Sequence, residues 1–136
     1  MKVLLIYCNH FEYKPTEKTL DTVEDVSQGA AYENAEVAFI QVEEHDAENE
    51  KSVKKNLRNF LKWIDRKNNP DCIILHSFAH LSNSKADPEY TKYFLDMTDE
   101  WLSERGYSVA QTPFGYFLDL RIEAAGFSLA RVFKEF

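Results

Sequence analysis

Five side chains of this 136-residue chain could act as metal ligands, nucleophiles or proton carriers: Cys8 and His10 near its start, and Cys72, His76 and His80 further on. On a strand, Cys72, Ile74 and His76 share a face, so the two groups could converge on a zinc ion if the strands that carry them were neighbours. Structural zinc sites usually show tight Cys-x2–4-Cys or His-x3–5-His pairs, and both Cys and neutral His are ordinary core residues, so no metal and no other cofactor is assigned. The segment His76-Ser77-Phe78-Ala79-His80-Leu81-Ser82 is the most suggestive chemically. It brings small polar groups and an imidazole to the carboxyl end of a strand, where ligand sites often form. There His80 could orient a water or donate to an oxyanion, and the same ring could equally pack and bond to a loop carbonyl. The standard dinucleotide, P-loop, nucleophile-elbow and H-E-x-x-H signatures are absent.

The elements that must position these residues follow from periodicity. Lys2 to Tyr7 is a short apolar run that reads as a buried strand, and Val37 to Val42 reads as a second, ending in Glu43, Glu44 and Asp46. Between them, residues 14 to 35 are polar, hold Pro15 and Gly29, and read as a solvated connection. From Glu50 to Lys67, Val53, Leu57, Phe60, Leu61 and Ile64 recur at helical spacing. Asn68-Asn69-Pro70 stops that helix, and Cys72 to His76 forms a third strand. Asp87-Pro88 supplies an N-cap and a first-turn proline for a second helix, with Tyr93, Phe94, Met97, Trp101 and Leu102 on its apolar face and Gly106 as its stop. Two alternating stretches, Tyr107 to Thr112 and Tyr116 to Ile122, could pair around Pro113-Phe114-Gly115, and a short helix over Ser128 to Lys134 closes the chain. The expected class is α+β, one domain with a mixed sheet of about five or six strands and two main helices.

Composition narrows the function classes. The chain is 44% hydrophobic and 14% aromatic, enough to bury one core, and no apolar run approaches the roughly 18 residues that cross a bilayer. Two unpaired cysteines suit a reducing compartment, which makes the cytoplasm the expected location. The net charge of -7 argues against indiscriminate phosphate binding, yet it is segregated. Residues 50 to 67 hold seven Lys/Arg against Glu50 and Asp65, and the rest of the chain holds nine basic against 21 acidic residues. Lys51, Lys54, Lys55, Arg58 and Lys62 form a basic stripe on the first helix, which reads either as a solvated face or as a grip on phosphates.

Five stretches carry a resemblance. Met1-Lys-Val-Leu-Leu-Ile6 with Phe11-Glu12-Tyr13, Val37-Ala38-Phe39-Ile40-x-Val42-Glu43, Phe78-Ala79-His80-Leu81-Ser82, Glu104-Arg105-Gly106-Tyr107 and Pro113-Phe114-Gly115-Tyr116 stand in an order that resembles the N-terminal editing domain of archaeal threonyl-tRNA synthetases. The resemblance implies a D-aminoacyl-tRNA deacylase-like fold and hydrolysis of serine wrongly attached to threonine tRNA, the kind of error a synthetic pocket cannot reject by binding alone. It implies a pocket built largely of main-chain groups, lined by Val42, Phe78, Ala79, Pro113, Phe114, Gly115 and Tyr116, with His80 as the polar side chain near the ester and the terminal ribose of the tRNA assisting the attacking water. Its partners would be the aminoacyl end of tRNA, a synthetase catalytic subunit and a second copy in a homodimer, with no cofactor and no membrane.

The departures from the family pattern bear on specificity. The family's Phe-Gly-Tyr-Tyr-Lys is Phe114-Gly115-Tyr116-Phe117-Leu118 here, Arg131 stands where the family has Glu, Gly126-Phe127-Ser128 replaces Gly-His-Pro, and Cys8-Asn9-His10 replaces His-Ser-Asp. Together they imply a free-standing paralogue acting in trans with altered specificity, or a catalytically silent tRNA- or synthetase-binding relative. Phe136 falls where the family's editing domain ends, as expected of an excised domain or such a paralogue.

Overall fold

A computed structural model of the chain describes residues 1–136. In chain order it contains strands β1 (Lys2–Lys18) and β2 (Ala30–Gln41), a 3-10 turn (Glu44–Asn49), helix α1 (Glu50–Asn68), strand β3 (Cys72–Ser77), helix α2 (Pro88–Glu104), and strands β4 (Val109–Gln111), β5 (Tyr116–Ala124) and β6 (Arg131–Glu135). The six strands make one mixed sheet in the order β4-β3-β2-β1-β5, with β6 also paired to β1. This is the expected α+β class.

The chain's centre is β1. It pairs antiparallel with β2 along most of its length, with β6 over Lys2 to Ile6 and with β5 over Cys8 to Lys18. Strands β2, β3 and β4 run parallel, linked by α1 and α2, as parallel pairing requires of its crossover connections. Both helices cover one face of the sheet. Val53, Leu57, Phe60, Leu61 and Ile64 of α1 and Phe94, Leu95 and Leu102 of α2 pack there on Val3, Leu5, Ala38, Ile40, Ile73 and Leu75. The other face builds a second cluster from Cys8, Phe11, Tyr13, Ala35, Val37, Phe39 and Ile74. The Phe11 ring lies 6.5 Å from that of His76, two strands away from β1, so the sheet curls and the outer half of β1 closes over β3.

Three expectations are corrected. Residues 14 to 35 are not one solvated connection, because β1 runs on to Lys18 and β2 begins at Ala30. The β1–β2 ladder is interrupted at Asn9 and Asn34, where Asn34 takes a left-handed φ of 50°, and beyond it Phe11 and Tyr13 join the side of the sheet that holds Cys8. That change of phase hides the strand from a period-2 reading. The stretches on either side of Pro113-Phe114-Gly115 do not form a hairpin. β4 adds to the free edge of β3 and β5 to β1, so Pro113–Gly115 crosses from one side of the sheet to the other. Ser128 to Lys134 is not a helix, since Arg131–Glu135 forms β6 against Lys2 to Ile6. Strand β2 lies between β1 and β3, so the strands bearing Cys8 and Cys72 are not neighbours and the condition for a shared zinc site is unmet.

Gly29 closes the β1–β2 connection in very close quarters. A Cβ built there would lie 2.0 Å from the carbonyl oxygen of Tyr13, a backbone atom that cannot swing aside. Gly29→Ala is expected to destabilise the domain by about 2 kcal/mol, within the range for overpacked sites, read as a lower urea midpoint at unchanged m-value.

Candidate active site

The carboxyl ends of the parallel strands β2, β3 and β4 open onto a cavity of about 380 Å³, the usual place for a site in a sheet of this kind. Ile40, Gln41 and Val42 enter it from β2, His76 to His80 from the end of β3, Pro88 and Thr91 from the start of α2, and Thr112 to Gly115 from the crossing segment. Tyr116, Phe117, Leu118 and Leu120 of β5 form the remaining wall. Every residue expected of the pocket (Val42, Phe78, Ala79, His80, Pro113, Phe114, Gly115 and Tyr116) lines this one cavity. Four residues that sequence reasoning did not place in the pocket also stand out: His76, Gln41, Thr112 and Lys85.

The two imidazoles of the cavity differ in kind. His76 is 6% exposed and flanked by Phe39 and Phe78, and its Nδ1 shares a hydrogen bond of 2.9 Å with the Thr112 hydroxyl. Burial pushes it down to about 4, so it is neutral at physiological pH. His80 is exposed at the lip, with its ring 5.1 Å from that of Phe78, edge to face. No Asp, Glu or Cys lines the cavity. Its titratable side chains are these two imidazoles, the Tyr116 phenol and the exposed Lys85 ammonium, so chemistry built on a carboxylate pair or a thiolate has no residues to perform it.

A buried amide holds the loop that carries His80. Gln41, 2% exposed, donates through Nε2 to the carbonyls of Ser82 (2.8 Å) and Ser84 (2.9 Å), while Leu81 and Ser82 donate their N–H groups to Oε1 at 2.6 and 2.7 Å. All four hydrogen-bonding positions of the amide are used. Two residues further along the chain, Glu43 accepts from Ser82 Oγ (2.6 Å) and pairs with the α-ammonium of Met1 (2.7 Å). Burial opposes its charge, but the hydrogen bonds from Met1 and Ser82 outweigh burial and hold its carboxyl at about 2.

On the opposite wall the crossing segment is tied to residues 19 to 26. Thr19 donates its N–H to the carbonyl of Gly115, whose φ of 81° is left-handed. The Tyr116 hydroxyl accepts from Val26 N–H at 2.7 Å and donates to the Glu24 carbonyl at 2.9 Å. That phenol is therefore spent on holding the wall.

Comparison with known proteins decides the family. The family model described as the archaea-specific editing domain of threonyl-tRNA synthetase matches residues 1–136. The chain belongs to that family. Relatives of this editing domain include the threonine–tRNA ligases of Thermofilum pendens, 34% identical over 134 residues, and Pyrococcus furiosus, 32% identical over 135. The alignment covers 97% of this chain and 22% of each ligase, so the chain spans about a fifth of the length of these relatives. Among solved structures, the c-Myc DNA Unwinding Element Binding Protein superimposes with a TM-score of 0.68 over 99% of this chain and 98% of its own, at 12% identity. That likeness speaks to the fold alone, which is the D-aminoacyl-tRNA deacylase-like one.

Seen in the editing domain, the departures from the family pattern separate. Phe117 and Leu118 do line the cavity. Arg131 lies in β6 opposite Ile6, Cys8 is buried in the second cluster, and Phe127 packs on Tyr7 at 5.2 Å between ring centroids. None of these three borders the cavity. Phe117, Leu118 and Leu120 give the cavity an apolar wall.

Proposed function

We propose that this domain hydrolyses the ester that joins a small amino acid of the seryl type to the terminal adenosine of tRNA, acting in trans in the cytoplasm. The observation that carries the reading is the convergence of Phe78-Ala79-His80 and Pro113-Phe114-Gly115-Tyr116 on one cavity that contains no carboxylate. A pocket without a strong base suits an ester whose attacking water is oriented by the substrate's own ribose. The protein then contributes shape, fixed dipoles and exclusion of bulk water.

In this reading the amino-acid side chain enters toward the neutral His76 and Thr112, and the ester stays at the lip beside His80. His80 donates to the carbonyl oxygen as negative charge develops there, or relays the proton lost by the attacking water to the departing ribose oxygen. The lost amino acid leaves as a free carboxylate and the tRNA regains its hydroxyl. Leu118 gives the wall an apolar surface, which favours an amino acid with one hydroxyl or methyl over a strongly polar one.

Binding is testable apart from turnover with seryl-adenosine in which an amide replaces the ester. Saturable binding that shifts the ring protons of His76 and His80 in an NMR titration is the expected result. Line broadening confined to residues remote from the cavity, or no binding at millimolar ligand, overturns the reading.

A further inference from the structure

The helical layer, outside the cavity, holds a second feature. α1 and α2 run side by side. The Tyr90 hydroxyl donates to Glu50 at 3.0 Å, Lys54 Nζ lies 5.9 Å from the centre of the Tyr93 ring, and Arg58 and Lys62 reach Trp101 at 4.7 and 5.9 Å from its ring centre. Arg105, at the end of α2, comes within 3.9 Å of the same ring. Three cations from two helices thus gather on one indole. The ion pairs within these helices are Glu50–Lys54 and Lys92–Asp96, and none involves Arg58, Lys62 or Arg105.

That gathering is costly as it stands. The Arg58 Nε is buried with no hydrogen-bond partner, and burial together with the charge of Arg105 pushes the Arg58 guanidinium below its ordinary value. A guanidinium that has lost water, lacks a carboxylate and faces a like charge is held at a cost in free energy. Cation–π contact with Trp101 offsets only part of it, on the order of 1 kcal/mol per pair. The chain holds 21 acidic residues outside α1, and none forms an ion pair with Arg58, Lys62 or Arg105. An anion from outside would relieve it.

We propose that Arg58, Lys62 and Arg105 around Trp101 form a phosphodiester-binding site for the backbone of a nucleic acid. Guanidinium forks fit phosphate oxygens in pairs, whereas a peptide carboxylate would be expected among the chain's own acids already. The cations are also arranged as a track. Thr91 of α2 lines the cavity, Tyr93, 48% exposed, sits beside Lys54, and Trp101 follows about 15 Å from Thr91 at 1.5 Å per residue. An exposed ring, Tyr93, and a half-buried one, Trp101, interleaved with cations suit a strand that leads away from the cavity. The site stands on these residues, and only its assignment to tRNA rests on the editing reading.

The test is fluorescence anisotropy with uncharged tRNA across a salt series, beside deacylation of an aminoacyl-adenosine ester too short to reach Trp101. The triple variant Arg58→Gln/Lys62→Gln/Arg105→Gln is expected to lower the log–log salt slope by about three and to weaken binding roughly tenfold or more, while hydrolysis of the short ester is unchanged. A parental slope in a variant that keeps the parental melting temperature overturns the proposal, as does failure of the parent to bind tRNA. Should the triple variant not fold, Lys62→Glu alone decides: weaker binding supports the site and unchanged binding overturns it. Polyglutamate competing as well as an oligonucleotide of equal charge would make the ligand an acidic peptide and overturn the assignment. Salt-dependent tRNA binding without hydrolysis of any ester would remove the editing reading and leave this site standing.

Discussion

Replacing Gln41 by Leu is expected to remove about 3 kcal/mol of stability and to lower kcat/KM for ester hydrolysis by at least about 10²-fold. The size follows from what the amide does. It satisfies the N–H groups of Leu81 and Ser82 and the carbonyls of Ser82 and Ser84, all on the loop that begins at Phe78-Ala79-His80. A leucine of similar volume leaves those backbone groups without partners at roughly 1 kcal/mol or more each, some recovered when water enters. The loop then loses its register on β2, and a displacement of about 1 Å at a reacting group costs on the order of 10² in rate. Denaturant unfolding and steady-state hydrolysis measure the two effects separately. Gln41→Glu is a sharper companion, since it keeps both acceptor bonds and loses both donors.

The second large effect is a pH dependence in a region remote from the cavity. Glu36 is fully buried on β2 among the side chains beneath α1. Its Oε1 accepts from Asn68 Nδ2 at 2.8 Å, and its Oε2 has no partner. Burial, reinforced by the charge of Asp65 and partly offset by the Asn68 hydrogen bond, pushes this carboxyl up to about 7. Between an unfolded value near 4.5 and the folded value of about 7, the native chain keeps a proton that the unfolded chain has released, so stability falls as pH rises through that window. The full loss is about 3 kcal/mol, complete above pH 7. Glu36→Gln should therefore match the parent below about pH 4.5 and exceed it by a margin growing to about 3 kcal/mol at pH 8, measured by urea unfolding across the range. His76 works in the opposite sense. It is held down to about 4, so its contribution is present above an unfolded value near 6.5 and is lost as pH falls toward 4. The two slopes oppose one another between roughly pH 4.5 and 6.5, and the parent is expected to be nearly flat there, while Glu36→Gln climbs with pH.

Much of this domain is legible from residues alone, and the illegible parts share a physical cause. α1 is plain because Val53, Leu57, Phe60, Leu61 and Ile64 repeat with a helical period, and α2 because Asp87 caps Tyr90 N–H just before Pro88. β3 and the core half of β2 are short branched runs with no competing reading. The ends of the chain differ. Leu129, Val132, Phe133 and Phe136 are spaced as on a helix, yet Arg131–Glu135 becomes strand because β1 offers a free edge over Lys2 to Ile6. The same holds for Pro113-Phe114-Gly115, which has the composition of a hairpin turn and instead crosses the cavity between two separate sheet edges. Pairing partners distant in sequence decide these segments, and local composition does not record them.

The candidate site shows a similar division. The motif residues fall together around one cavity, since strand ends carry them there. The supporting residues carry no local signal: Gln41 reads as an ordinary polar residue at the end of a strand, and Glu36 as a carboxylate just ahead of an apolar run. His76 is the exception. Its alternation with Ile74 and Cys72 already places it on the face where Phe11 and Phe39 pack, two residues before the Phe78 that separates it from His80.

Cleavage of a seryl ester on tRNA is the activity proposed for this cavity. It is tested most directly by incubating the purified domain with seryl- and threonyl-tRNA(Thr) side by side and following release of the labelled amino acid. Loss of serine well above the spontaneous rate, with threonyl-tRNA spared and the acceleration cut by on the order of 10² in His80→Ala, is the predicted result. Spontaneous rates for both substrates, or an acceleration that His80→Ala leaves intact, would contradict it.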